Sequence, residues 1–99
     1  IWFTFEPSGG QPIWIYAQGA FDRSSNTMTL PASILTGAKF PPSYSVDDAT
    51  LSQWGSLTFT FTDCDDATVN WNSILPGYAS GTLAITRLTQ IDGTVCPSP

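Results

Sequence analysis

The chain has 99 residues, of which 41% are hydrophobic, and three cations against eight acidic residues give it a formal net charge of −5. So few cations argue against binding to nucleic acid or to an anionic membrane surface, because both partners require clustered positive charge. No apolar run approaches the roughly 20 residues that span a bilayer, so membrane insertion is not expected. The length suits one β domain covering residues 1–99.

Short stretches of alternating apolar and polar residues, the pattern of half-buried strands, recur along the chain. No stretch of ten or more residues shows helical periodicity. The predicted strands are, in chain order, residues 1–5, 12–17, 27–30, 57–62, 68–72 and 82–88. Pro31 is expected to end the third of them, because proline has no N–H for the ladder. Residues 31–50 should then form the longest loop, with a short helical turn at residues 46–49.

This series of strands predicts an all-β fold, an antiparallel β-sandwich or flattened barrel of about six to eight strands. The first strand has only one neighbour close in sequence, so its other edge needs a partner. A distant strand, a segment upstream of residue 1 or another molecule could supply that partner, and on the second alternative the domain lacks one or two N-terminal strands. The predicted interface is this strand: Ile1, Trp2, Phe3, Thr4 and Phe5.

The first hairpin determines which aromatic side chains share a face. With a three-residue loop at residues 8–10, Phe3 is expected opposite Ile15, which collects the aliphatic residues on one side. The other side would then carry Trp2, Trp14 and Tyr16. A flat strip of such rings can stack on the C–H faces of sugars, which makes these three residues the candidate glycan-binding site. The alternative is that the strip is buried in the core or in a protein interface.

The two cysteines, Cys64 and Cys96, are expected to form a disulfide. The chain has no His and no Cys-x-x-Cys motif to favour a metal site or a reactive thiol, and a Thr-rich, Lys-poor composition suits a secreted β-protein. Such a bridge would stabilise the fold by about 3–4 kcal/mol. Two buried free thiols are the alternative.

Catalysis is not expected, and no catalytic residue or cofactor is assigned. The chain lacks His, the commonest general base, and its acidic residues fall mostly at predicted turns, where Asp hydrogen-bonds the backbone. Asp63, Asp65 and Asp66 offer enough oxygen atoms to be weak calcium candidates, although their spacing does not follow the EF-hand pattern. A tight Asp-rich turn accounts for them equally well.

Three segments resemble a largely uncharacterised family of secreted bacterial all-β domains. The resemblance lies in WFTFEPSGGQPIW at residues 2–14, WGSLTFTFTDC at 54–64 and ASGTLAITRL at 79–88. The first is similar to the family's hairpin W-[FY]-T-[FY]-(D/E)-x-x-G-x-P-x-W. The resemblance implies an exported β domain and no particular activity. In those relatives a Gly-rich strand region precedes the hairpin, and this chain does not contain it.

Together these observations predict a non-catalytic structural or interaction domain of a secreted or surface-exposed bacterial protein. Its expected partner is protein, either copies of itself or an upstream segment of its own precursor, and strand addition between copies could build a fibre. A carbohydrate-binding module is the alternative function. A calcium-stabilised adhesin domain is a weaker one.

Overall fold

The computed structural model describes residues 1–90 and 92–93, and in them six antiparallel strands form one sheet. The strands are β1 (Trp2–Phe5), β2 (Pro12–Ala17), β3 (Thr27–Thr36), β4 (Thr50–Phe61), β5 (Asp66–Ser73) and β6 (Ser80–Thr86), with a short 3-10 helix at Val46–Asp48. Each strand pairs with its neighbours in sequence, in the order β1 to β6. The all-β antiparallel class is therefore confirmed. The sandwich alternative is wrong for the described residues, since they form one sheet that curls into a half-barrel.

The core lies on one side of this sheet, called the inner face below. Its buried residues, taken from β2, β3, β4 and β5, are Ile15, Ala32, Trp54, Leu57 and Val69. Leu75 and Tyr78, from the connection between β5 and β6, pack against this cluster. Burial raises the pKa of Tyr78, and the negative charge of Glu6 raises it further. The connection therefore covers part of the inner face that a second sheet would cover in a sandwich.

A β-bulge in β4 keeps both halves of this long strand pointing into the core. Ala32 pairs with Gly55 and Ser33 pairs with Gln53, so Trp54 is the extra residue. Its carbonyl accepts hydrogen bonds from the Ile74 N–H at 2.9 Å and the Ser73 hydroxyl at 2.7 Å. An extra residue reverses the alternation of side chains along a strand. Trp54 therefore faces inward together with Leu57.

The third strand continues through Pro31 to Thr36, so the prediction that Pro31 ends it is wrong. On the β2 side the paired residues stop at Ala17 and Ala32. Pro31 thus lies just beyond the ladder with β2, where β3 is an edge and a proline is tolerated. The loop expected over residues 31–50 shrinks to residues 37–49, and it contains the predicted helical turn.

No helix of the described residues is long and apolar enough to cross a membrane.

Candidate functional site

The first hairpin adopts a register displaced by one residue from the predicted one. Trp2 pairs with Ile15 and Phe3 pairs with Trp14. The Glu6 N–H donates to the Gln11 carbonyl at 2.7 Å, which leaves residues 7–10 as a four-residue loop. Gly9 and Gly10 both have positive φ, +84° and +66°, a conformation that glycine adopts without strain. The longer loop moves every side chain of β1 to the opposite face.

Because of this register, Trp2 lies on the inner face and not in a common strip with Trp14 and Tyr16. Its ring contacts the rings of Trp54 and Trp71, with centroids 6.3 Å and 5.9 Å away. Trp71 belongs to β5, so this contact spans the inside of the curled sheet. The predicted face assignment is therefore wrong for Trp2. As a glycan-binding candidate it is separated from the other two rings by the thickness of the sheet.

The outer face of β1 and β2 carries an exposed aromatic patch, defined as Phe3, Phe5, Trp14 and Tyr16. These side chains are between 45% and 58% exposed. The ring of Phe3 lies at the centre, 5.5 Å from that of Phe5 and 4.7 Å from that of Trp14. The rings of β1 and those of β2 lie side by side on one face of the sheet and form a contiguous apolar surface. Contiguous exposed apolar surfaces of this kind often mark interaction sites.

Two leucines from neighbouring strands extend the patch. Leu35 of β3 pairs with Leu51 of β4, and both are more than half exposed. With Ile1, Trp14 and Tyr16 they line an open groove of about 670 Å³. Neither leucine was predicted here: Leu35 was expected in the loop over residues 31–50, and Leu51 was not assigned to any strand. No alternation of apolar and polar residues marks Leu35, because it is adjacent to Ile34, an apolar residue that packs on the core from the opposite face.

The outer edge of β1 has no hydrogen-bonded neighbour among the described strands. In an antiparallel pair, the residues that exchange hydrogen bonds alternate with residues whose main-chain groups point away. Since Glu6 bonds to Gln11, the residue before β2, Phe3 and Phe5 direct their N–H and C=O groups to the free edge. The residue opposite Phe5 is Pro12, which has no N–H to donate. The predicted interface strand is thus an open edge that carries part of the aromatic patch.

The rest of the outer face is polar. On β4, β5 and β6 it presents threonine and asparagine side chains, several of which bond across strands. Thr82 donates to Asn70 at 2.9 Å and Thr86 donates to Asp66 at 3.0 Å. Apart from Leu35 and Leu51, the large apolar side chains exposed on this face are therefore confined to the β1–β2 end of the sheet.

The three calcium candidates serve the turn between β4 and β5. One Asp63 carboxylate oxygen accepts from the N–H groups of Asp65 and Asp66 at 2.7 Å and 2.9 Å. Asp65 lies 3.6 Å from the Arg87 guanidinium, and Asp66 accepts from Thr86. Within the described part of the chain, no group of three or more His, Cys, Asp or Glu side chains could hold a metal ion. These contacts support the turn alternative and give calcium no structural support.

The predicted disulfide involves Cys96, which lies outside the described residues. The pairing therefore stays a prediction, and it can be tested by intact mass before and after reduction and alkylation. We expect alkylation only after reduction. Cys64→Ala should then lower the free energy of unfolding by about 3–4 kcal/mol, since it opens a loop of some thirty residues. Full alkylation of native, unreduced protein at both cysteines would contradict the bridge.

Comparisons of the chain with protein-family models, with curated proteins and with solved structures found no match.

Proposed function

We propose that this chain is a non-catalytic interaction domain of a secreted or surface-exposed protein, and that its partner is another copy of the same chain. The observation that carries the proposal is the coincidence of two exposed features on β1. Among the described strands this one has an unpaired edge, and it also contributes Phe3 and Phe5 to the aromatic patch. An added strand can gain main-chain hydrogen bonds from the edge and apolar contacts from the patch.

Within residues 1–90 and 92–93, the edge of β1 lacks the features that normally prevent such pairing. Natural edge strands are protected by charged side chains, prolines, bulges or a covering loop. Residues 2–5 contain no charge, no proline and no bulge, and the nearest charged side chain is that of Glu6. In the resemblance described above, a Gly-rich region precedes this hairpin, so an upstream segment of the precursor is the other occupant that the edge could accept.

Charge favours one surface as the contact between two copies. Each copy carries a formal charge of −5, so most approaches between two copies are repulsive. The aromatic patch and the groove beside it contain no ionisable side chain other than that of Tyr16. Two copies therefore repel each other least where these uncharged surfaces meet.

The test is the association state of the protein by sedimentation velocity over a range of concentrations. We expect reversible self-association that Phe3→Lys weakens by about 30-fold, the equivalent of roughly 2 kcal/mol, because the lysine would place a charge at the centre of the patch. Phe40→Lys is the matched control, since Phe40 is 89% exposed in the loop between β3 and β4 and the charge change is the same. A wild-type protein that stays monomeric up to millimolar concentration would overturn the proposal.

A glycan-binding module remains the second candidate, because Trp14 and Tyr16 are exposed beside the groove. The Tyr16 hydroxyl donates to the Gln18 side chain, which places polar groups next to the rings. However, the rings of Phe3 and Trp14 are tilted by 51°, whereas a platform for a sugar chain needs rings close to one plane. Retardation of the wild type, but not of Trp14→Ala, in gels containing a polysaccharide would favour this candidate.

A further inference from the structure

We infer that two copies associate by pairing β1 with β1 around a two-fold axis at Thr4, which gives a closed dimer and not a fibre. The inference rests on the proposed function and specifies its geometry. Three observations support that geometry: which main-chain groups of β1 point outward, which face each side chain occupies, and which side chains the other edge of the sheet, β6, carries.

The hydrogen-bonding pattern of β1 restricts the register. Phe3 and Phe5 direct their main-chain groups to the free edge, so these residues must bond to the incoming strand. When Phe3 of one copy pairs with Phe5 of the other, each residue both donates and accepts across the pair. The symmetry repeats the arrangement on the other side of Thr4. A register displaced by one residue would set outward-pointing groups against groups already bonded to β2.

The same register matches the faces of the two sheets. The Phe3 and Phe5 rings of both copies lie on the outer face, and the two aromatic patches become continuous across the new strand pair. On the inner face, the two Thr4 side chains meet at the axis. Cross-strand aromatic pairs are among the favourable pairs of antiparallel sheets.

The other free edge, β6, is a poorer partner for β1. Its outer face carries Ser80, Thr82, Ala84 and Thr86, and two of these hydroxyls already bond to β5. Pairing β1 with β6 of the next copy would place the phenyl rings beside this polar row. Head-to-tail pairing is the geometry that propagates into a fibre, whereas a two-fold pair closes on itself. The mismatch between the phenyl rings of β1 and the polar outer face of β6 therefore favours the two-fold dimer over the fibre.

The size of the contact sets the strength of the dimer. Phe3 and Phe5 are 47% and 56% exposed, which corresponds to about 200 Å² of aromatic surface per copy, at roughly 200 Å² for a whole ring residue. Even with the strand edge added, the total falls below the roughly 1,000 Å² of a stable specific interface. We therefore expect a reversible dimer of micromolar or weaker affinity, and its test must trap it.

Thr4→Cys traps the dimer at its axis. Residues facing each other at Thr4 form a non-hydrogen-bonded pair with Cα atoms about 4.5 Å apart, within the range of a disulfide. After mild oxidation we expect a dimer on non-reducing gels, with peptide mapping placing the link between the two engineered cysteines. The parent protein, which contains Cys64 and Cys96, is oxidised under the same conditions as the control, and it shows how much disulfide-linked dimer the native cysteines form by themselves.

A mixture of Thr4→Cys and Leu83→Cys chains tests the fibre contact. Leu83 occupies the inner face of β6, as Thr4 occupies the inner face of β1, so head-to-tail pairing would link the two variants. A Thr4–Leu83 link, or masses that grow beyond the dimer in sedimentation, would overturn the two-fold geometry while leaving self-association intact. Absence of any association, or association insensitive to Phe3→Lys, would instead overturn the proposed function.

Discussion

Replacing Trp54 with alanine should lower the free energy of unfolding by about 3–5 kcal/mol, the usual cost of removing a large buried aromatic side chain. Trp54 is only 1% exposed and belongs to the core cluster. Its ring contacts those of Trp2 and Tyr78, with centroids 6.3 Å and 5.5 Å away. The substitution would therefore leave a cavity where β1, β4 and the β5–β6 connection meet. Urea unfolding followed by circular dichroism measures the change.

Trp14→Ala is the matched control, because it removes the same side chain from the outer face. Trp14 is 58% exposed, so we expect a loss of about 1 kcal/mol or less. A third variant, Trp54→Phe, addresses the buried indole N–H, which has no hydrogen-bond partner among the residues that the structure describes. This variant keeps an aromatic ring and leaves no partner group behind, so it should cost less than Trp54→Ala. Similar losses for Trp14→Ala and Trp54→Ala would contradict the assignment of inner and outer faces.

Gly55→Ala should be the most damaging of the small substitutions, with an expected loss of about 2–4 kcal/mol from steric overlap and backbone strain together. Gly55 follows the bulge residue and has φ of +151°. A Cβ at this position would overlap the Asn72 carbonyl oxygen and lie 2.7 Å from the Ser73 Cα. Both obstacles are main-chain atoms of β5, so the strand itself would have to move. The midpoint of urea unfolding measures the loss.

Gly9→Ala is the control that separates the cost of backbone strain at positive φ from the cost of steric overlap of the new Cβ atom. Gly9 also has positive φ, +84°, but a Cβ there would have no atom within 4 Å. The expected loss is therefore about 1 kcal/mol, the cost of the left-handed backbone alone. If the two alanine variants lost the same stability, the close approach of β4 and β5 at Gly55 would not be a determinant of the fold.

The strand content of this chain could be predicted because its alternation is local. In Leu57-Thr58-Phe59-Thr60, the predicted inward leucine is buried, and Phe59 packs against the core cluster. The prediction failed where alternation is interrupted. The bulge at Trp54 changes the phase within β4, so the first half of that strand was not recognised. A pattern of period two cannot show an inserted residue until its partner strand is known.

The outer site was only partly predictable for a related reason. The importance of residues 1–5 as an edge follows from their apolar character and their single neighbour in sequence. Which of their side chains are exposed depends on one residue of loop length, which the sequence Ser8-Gly9-Gly10 leaves open between a three-residue and a four-residue turn. Gly9 and Gly10, which both have positive φ, permit the longer loop. As a result Trp2 lies on the inner face, whereas Trp14 and Tyr16 lie on the outer face.

The order of the strands also bears on how this protein acquires its structure. Among the described strands, each one hydrogen-bonds only to the strand before it and the strand after it along the chain. No pairing in this sheet has to wait for a distant part of the polypeptide, and short-range pairings carry a small entropic cost of loop closure. The sheet can therefore assemble hairpin by hairpin as the polypeptide is made, with β1 pairing to β2 before the later strands are available.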